Sequence, residues 1–221
     1  MRTLAASALF FSAAIGNAFA GDNGARDWSG PYIGADVGYA WGETGNTWRS
    51  PGAGYNDWQP DGNISYGSAI GGGHAGYLTQ FGQLVIGAEI DIGATALKGN
   101  DSQFAGEINS IDINYLGTIR GRLGYAFDSS LAYVTGGFAY SDYVKKDHTV
   151  GWSKNDNLTG WTIGGGYEYA LTNNWSARIE YQYVDLGSVN SLLTDGNGLF
   201  YYHRAADISV QSVRAGISYG F

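Results

Sequence analysis

The sequence predicts an all-β fold, an eight-stranded antiparallel up-and-down transmembrane β-barrel. Three observations carry this: eight segments of period-two alternation, connections that alternate short and long, and a short apolar leader on a chain with no other long apolar run. An extended chain points successive side chains to opposite faces, so alternation of apolar and polar residues marks a strand with two different surroundings.

The leader comes first. "MRTLAASALFFSAAIGNAFA" carries Arg2, an apolar stretch from Leu4 to Ile15, and the small-x-small tripeptide Ala18-Phe19-Ala20. These are the three regions of a secretory signal peptide, with cleavage expected after Ala20. The apolar stretch is well short of the ~20 residues that a spanning helix needs. The expected organisation is a signal peptide over residues 1–20 and a single barrel domain over residues 21–221. Removing the leader takes away one basic residue, so the net charge of −8 becomes −9.

The first strand is read over Tyr32–Trp41, with Ile33, Ala35, Val37, Tyr39 and Trp41 on one face and Asp36 on the other. Ile64–Leu78 is a Gly-rich second strand whose facing is ambiguous. Leu84–Ile92 sets Leu84, Ile86, Ala88, Ile90 and Ile92 against Glu89 and Asp91. Ile111–Tyr125 sets Ile111, Ile113, Tyr115, Ile119, Leu123 and Tyr125 against Asp112, Asn114, Thr118, Arg120 and Arg122. Leu131–Tyr140 is the fifth strand. Trp161–Tyr169 opposes Ile163, Tyr167 and Tyr169 to Glu168, and Trp175–Tyr183 opposes its apolar row to Arg178, Glu180 and Gln182. The eighth, Ile208–Phe221, opposes Val213, Ala215, Ile217, Tyr219 and Phe221 to Arg214. Between these, residues 79–83, 126–130 and 170–174 are short connections, and residues 42–63, 93–110, 141–160 and 184–207 are long. Short periplasmic turns and long external loops are the habit of outer-membrane barrels, which would put both termini on the periplasmic side.

The charged face decides which side is out. A soluble barrel would turn its apolar face inward around a ligand. Here Asp36, Glu89, Asp91, Asp112, Arg120, Arg122, Glu168, Arg178, Glu180 and Arg214 share the opposite face from rows of Ile, Val and Tyr. A narrow lumen can hold such residues as paired ions, while the apolar rows meet lipid. Tyr39, Trp41, Tyr77, Tyr125, Trp161, Tyr169, Trp175, Tyr181 and Tyr219 fall near strand ends, where interfacial girdles sit.

Composition excludes other classes. Seventeen tyrosines, seven tryptophans and only 14% charged residues argue against disorder. The acidic balance argues against nucleic-acid binding. The absence of cysteine removes disulfides, thiolate metal sites and cysteine catalysis.

The stretches "DWSGPYIGADVGYAWG" (27–42), "GTIRGRLGYAFD" (117–128), "GWTIGGGYEYALTNNWSARIEYQYVDLG" (160–187) and "VRAGISYGF" (213–221) resemble the small outer-membrane barrels of alphaproteobacteria. These are opacity-protein-like, porin-family surface antigens related to the OmpA-type barrel. The resemblance implies an outer-membrane location, contact with outer-membrane lipid and lipopolysaccharide, insertion by the barrel-assembly machinery, and a structural or antigenic role. It also implies that the terminal aromatics Tyr219 and Phe221 are the assembly signal. Some members are described as porins or haem binders, so a small-solute channel and loop-mediated haem or host-surface binding stay open beside the structural reading, as do peptidoglycan-layer contacts.

Other chemistry is sparse. "GGGHAG" (71–76) formally matches G-x-G-x-x-G, but it lies inside a strand with no helix after it, which the dinucleotide motif requires. His74, His148 and His203 fit no metal-ligand spacing. No nucleophile has a base beside it in sequence, so no enzyme, metal or cofactor is expected. In the last long connection, Leu199, Phe200, Tyr201, Tyr202 and His203 are the candidate binding surface.

Overall fold

The structure, a computed structural model, describes residues 26–50, 54–101, 109–147, 152–194 and 201–221. The signal-peptide expectation over residues 1–20, His148, Leu199 and Phe200 lie outside the described residues, as do the side chains of Asp112, Tyr201, Tyr202 and His203.

Eight strands follow in chain order: β1 (Gly30–Ser50), β2 (Tyr55–Phe81), β3 (Leu84–Asp101), β4 (Asn109–Phe127), β5 (Ser130–Asp147), β6 (Trp152–Ala170), β7 (Trp175–Thr194) and β8 (Tyr201–Gly220). Each pairs antiparallel with its sequence neighbour, and β8 returns to β1, so the barrel is closed. Closure satisfies every strand's backbone groups at bilayer depth, where no water is present to do so. Partners traced from Tyr32 through Gly76, Glu89, Arg120, Gly137, Thr162, Val184 and Val210 return to β1 at Gly42, ten positions along from the start. For eight strands, that stagger corresponds to a tilt of about 40° and a radius of about 8 Å. An interior of that width is on the scale of side chains or one small ligand.

Alternation is realised as two surfaces. Ile33, Val37, Ile90, Ile119, Leu123, Val134, Ile163, Ile179 and Ile217 are exposed on the outer wall. Tyr77, Phe81, Tyr125, Tyr169, Trp175 and Phe221 ring the short-turn end. Tyr39, Tyr140, Trp161 and Tyr181 ring the other. Ring pairs tie these girdles together, as in Trp175–Tyr219 and Tyr219–Phe221, both at 5.1 Å between centroids.

The short connections are tighter than expected: residues 82–83, residues 128–129 and residues 171–174. Gly82 (φ 63°) and Asp128 (φ 51°) take the left-handed backbone that a two-residue hairpin needs at its first position. The long connections are mostly strand. β1 runs on to Ser50, β2 starts at Tyr55, and Tyr201, Tyr202 and His203 belong to β8. Strands of 18 to 27 residues exceed the ~9–11 that cross a bilayer, so the wall stands well proud of the membrane. Once both faces meet water the alternation fades, which is why the sequence reads this part as loop.

One facing is corrected. The outer row extended back to Ile113 does not hold: Ile113 is buried inside and Asn114 is exposed. The register shifts between Asp112 and Leu116, and an extra residue in one strand swaps its faces. Asp142 fills the irregularity, accepting hydrogen bonds from the Asn114 and Tyr115 amides at 3.0 and 3.1 Å.

Above the outer girdle the barrel divides. Pairing of β2 with β3 ends at Ile70–Thr95, and pairing of β6 with β7 ends at Trp161–Asp185. The remaining ladders continue to the tips of their strands. Among the described residues, the protruding wall is therefore two four-stranded sheets, β7-β8-β1-β2 and β3-β4-β5-β6. Gly160 lies at one point of divergence, where a Cβ would run into the Asp185 carbonyl and Leu186.

Candidate functional site

The interior has three layers. At the short-turn end Trp28, Tyr32, Leu78, Val85, Leu131 and Tyr133 pack together. Toward the protruding sheets lies an apolar layer that includes Tyr66, Ile70, Leu97, Ile113, Leu116, Val184, Ile208 and Val210. Between them is a lattice of buried charge.

Four arginines and five carboxylates meet there, each 5% exposed or less. Glu89 is the hub. It pairs with Arg120, with Arg178 at 2.7 Å and with Arg122 at 3.6 Å, and it accepts the Tyr32 hydroxyl at 2.7 Å. Arg120 reaches Glu180 at 2.5 Å, and Arg122 pairs with Glu168. Arg214 lies 2.9 Å from both Asp91 oxygens and 3.5 Å from Asp36. Arg178 also reaches Asp36, at 3.4 Å. Glu89 and Arg120 are direct cross-strand partners, but Arg178 on β7 and Arg214 on β8 reach carboxylates on β3. A lumen of about 8 Å radius lets side chains from opposite walls meet.

Tyrosines complete the lattice. The Tyr133 hydroxyl donates to Glu180 at 2.8 Å, and its ring lies under the Arg122 guanidinium at 3.7 Å. That stacking suits a weakly hydrated, planar cation.

A strap lies at the short-turn mouth. Residues 26–29 cross it ahead of β1, with Trp28 buried. Arg26 stacks over the Trp28 ring at 4.5 Å and donates to the Trp175 carbonyl at 3.1 Å. Gln80 accepts the Trp28 amide at 2.8 Å, and the Ser29 hydroxyl accepts the Gln80 amide at 3.0 Å. The Ser29 amide donates to Asp27 at 2.9 Å and holds that carboxyl below the usual carboxylate range.

The closed barrel, its apolar outer wall and its charged interior describe a protein built for lipid. A model of the outer membrane protein beta-barrel domain matches residues 3–221. The chain belongs to that family. It is an outer-membrane protein, as its resemblance to alphaproteobacterial barrels implied. It is 34% identical over 209 residues to the 31 kDa outer-membrane immunogenic protein of Brucella melitensis, covering 88% of this chain and 84% of that one. It is 33% identical over 197 residues to the 22 kDa outer membrane protein of Rhizobium leguminosarum bv. viciae, covering 89% and 80%. The crystal structure of the outer membrane protein OprG from Pseudomonas aeruginosa superposes with a TM-score of 0.63 at 13% identity, covering 90% of this chain and 98% of that one. At that identity the likeness is one of fold. Neither relative is named as an enzyme.

Within this family member, the structure places Asp36, Glu89, Asp91, Arg120, Arg122, Glu168, Arg178, Glu180 and Arg214 inside and in contact. Phe221 is 73% exposed at the short-turn end, its amide donating to the Pro31 carbonyl at 3.1 Å. Sequence reasoning missed Trp28, Tyr133 and the pair His74–Ser218. Trp28 stands in "DWSGPY", before any alternation begins, so only the resemblance touched it. His74 lies in the Gly-rich strand whose facing was ambiguous, and its partners come from strands far away in sequence.

Proposed function

We propose that the chain is a structural, surface-exposed component of the outer membrane whose lumen is sealed to solutes. The observation that carries this is the stack of three closures: the Trp28 strap, the ion lattice and the apolar layer above it. Each guanidinium of the lattice is committed to at least one carboxylate, so a passing ion would have to displace a buried pair. In this reading residues 1–20 are removed on export, both termini face the periplasm, and the protruding sheets face outward. The immunogenic character in the name of the Brucella relative supports surface exposure of the protruding side. The partners are lipid and lipopolysaccharide around the wall, and the barrel-assembly machinery, which reads Tyr219 and Phe221. Single-channel recording of the purified protein in planar bilayers tests the sealed lumen. A quiet baseline is expected, and steady, reproducible conductance steps would establish a small-solute channel instead.

A further inference from the structure

His74 on β2 faces Gly34 on β1, and Gly34 faces Ser218 on β8. The glycine makes room: a Cβ at position 34 would collide with the His74 ring and the Ile217 carbonyl. The imidazole therefore lies across β1. Its Nδ1 is 3.1 Å from Asp36 Oδ2 and its Nε2 is 2.9 Å from Ser218 Oγ. All three residues are 2–3% exposed. An ionised carboxylate only accepts, so Asp36 fixes the proton of the neutral ring on Nδ1. Nε2 is then a lone pair aimed at the Ser218 hydroxyl. Arg178 and Arg214 hold Asp36 in place, at 3.4 and 3.5 Å. A hydroxyl bonded to a base that a third group orients is the arrangement of an activated nucleophile.

Ser218 also lines a cavity of about 50 Å³ at the short-turn mouth, together with Arg26, Trp28, Tyr32, Glu168 and Ser176. Two buried donors of that lining, Trp28 Nε1 and Arg26 Nε, have no acceptor among the described residues. Unpaired buried donors in the lining of a cavity that a nucleophile also lines are what a developing oxyanion requires. The outer wall of the cavity is the strap, held by side-chain contacts rather than by strand pairing.

We propose that Ser218, His74 and Asp36 form an acyl-accepting centre at the short-turn mouth of the barrel, which takes a short, acetyl-sized acyl group from an ester. Ser218 Oγ attacks the ester carbonyl carbon as its proton passes to His74 Nε2. The carbonyl electron pair moves onto oxygen, where the Trp28 and Arg26 donors hold it. Collapse breaks the bond to the leaving alkoxide, which takes the proton from His74. Water attacks the acyl-serine by the same route, releasing the carboxylic acid and restoring Ser218. The cavity volume limits the acyl group, and displacement of the four-residue strap admits the ester.

Methanesulfonyl fluoride probes the centre, since Ser218 would form an Oγ–S bond as fluoride leaves and His74 takes the proton. The purified full chain is treated in detergent micelles, and modification is located by intact mass and peptide mapping. Heat-shifted gel mobility checks that each variant is folded. Wild type and Ser188→Ala, a change on the exposed far part of β7, should gain a single methanesulfonyl group on Ser218. Ser218→Ala should gain none, and His74→Gln should react at least about 100-fold more slowly, the usual contribution of a general base. With 4-nitrophenyl acetate, wild type should release nitrophenol and carry an acetyl group on Ser218. Folded wild type that stays unmodified by both reagents overturns the proposal on its own. So does modification of His74→Gln at the wild-type rate, which would mean that the imidazole does not activate the serine.

Discussion

Glu89→Gln is the sharpest perturbation of the lattice. Glutamine keeps the size of the side chain and removes only its charge. Glu89 is 1% exposed and faces three guanidiniums and one hydroxyl. Breaking a buried ion pair from one side costs about 3–5 kcal/mol. The lower part of that range applies, because each arginine keeps a second carboxylate: Glu180 for Arg120, Glu168 for Arg122, and Asp36 for Arg178. Arg178 is left worst placed, its remaining contact being 3.4 Å long. A loss of about 3 kcal/mol is expected in urea unfolding of the reconstituted protein, followed by tryptophan fluorescence. Adding Arg178→Met should recover part of it, with a coupling of at least about 1 kcal/mol between the two sites. If Glu89→Gln costs no more than Lys145→Ala on the protruding part of β5, or if the two changes simply add, the lattice is not a set of desolvated pairs.

Further expectations bear on other parts of the molecule. Arg120→Ala should lower the same unfolding midpoint more than Lys145→Ala, because Arg120 is 1% exposed and joins Glu89 to Glu180. Gly34→Ala should reduce the folded, heat-shifted fraction on gels, since the new methyl meets the His74 ring and the backbone of β8. Deleting Phe221 should reduce the amount assembled in the outer membrane while leaving the melting of the assembled fraction nearly unchanged, because its ring packs on Tyr219 at the rim and is 73% exposed. Asp27 holds the strap from outside the membrane-spanning wall, with its carboxyl below the ordinary range. That stabilisation is present above the ordinary carboxylate pKa and is lost as pH falls through the depressed folded value. Limited proteolysis at the strap should accordingly rise only in acid, and Asp27→Asn should abolish the pH dependence.

The membrane-embedded part was legible because lipid and lumen differ so sharply. Each of Glu89, Arg120, Glu168 and Arg178 stood alone among apolar neighbours on a clean alternation, and each is inside. The order of the short and long connections was legible too. What could not be read was partnership. Arg178 and Glu180 are two positions apart on one strand, yet Arg178 pairs across the lumen with Glu89, and Glu180 pairs with Arg120. Only the stagger of the barrel decides this, and stagger is a property of closure rather than of any single segment. The bulge near Ile113 was invisible for a similar reason, since an added residue looks the same in a strand as in a loop. The relay of Asp36, His74 and Ser218 needed three strands in register and a glycine between them.

The division of the protruding wall has a mechanical meaning. Within the bilayer every strand is bonded on both sides, so a distortion of one is felt by all eight. Above Ile70–Thr95 and Trp161–Asp185 that ring is cut twice among the described residues, and the apolar layer lies at the base of both halves. The connection between β1 and β2 and that between β7 and β8 therefore belong to one half, while those between β3 and β4 and between β5 and β6 belong to the other. Among the described residues, no ladder runs between the halves along which an insertion or substitution in one would disturb the other. The surface is organised as two modules whose sequences can drift independently while the anchor beneath them stays fixed.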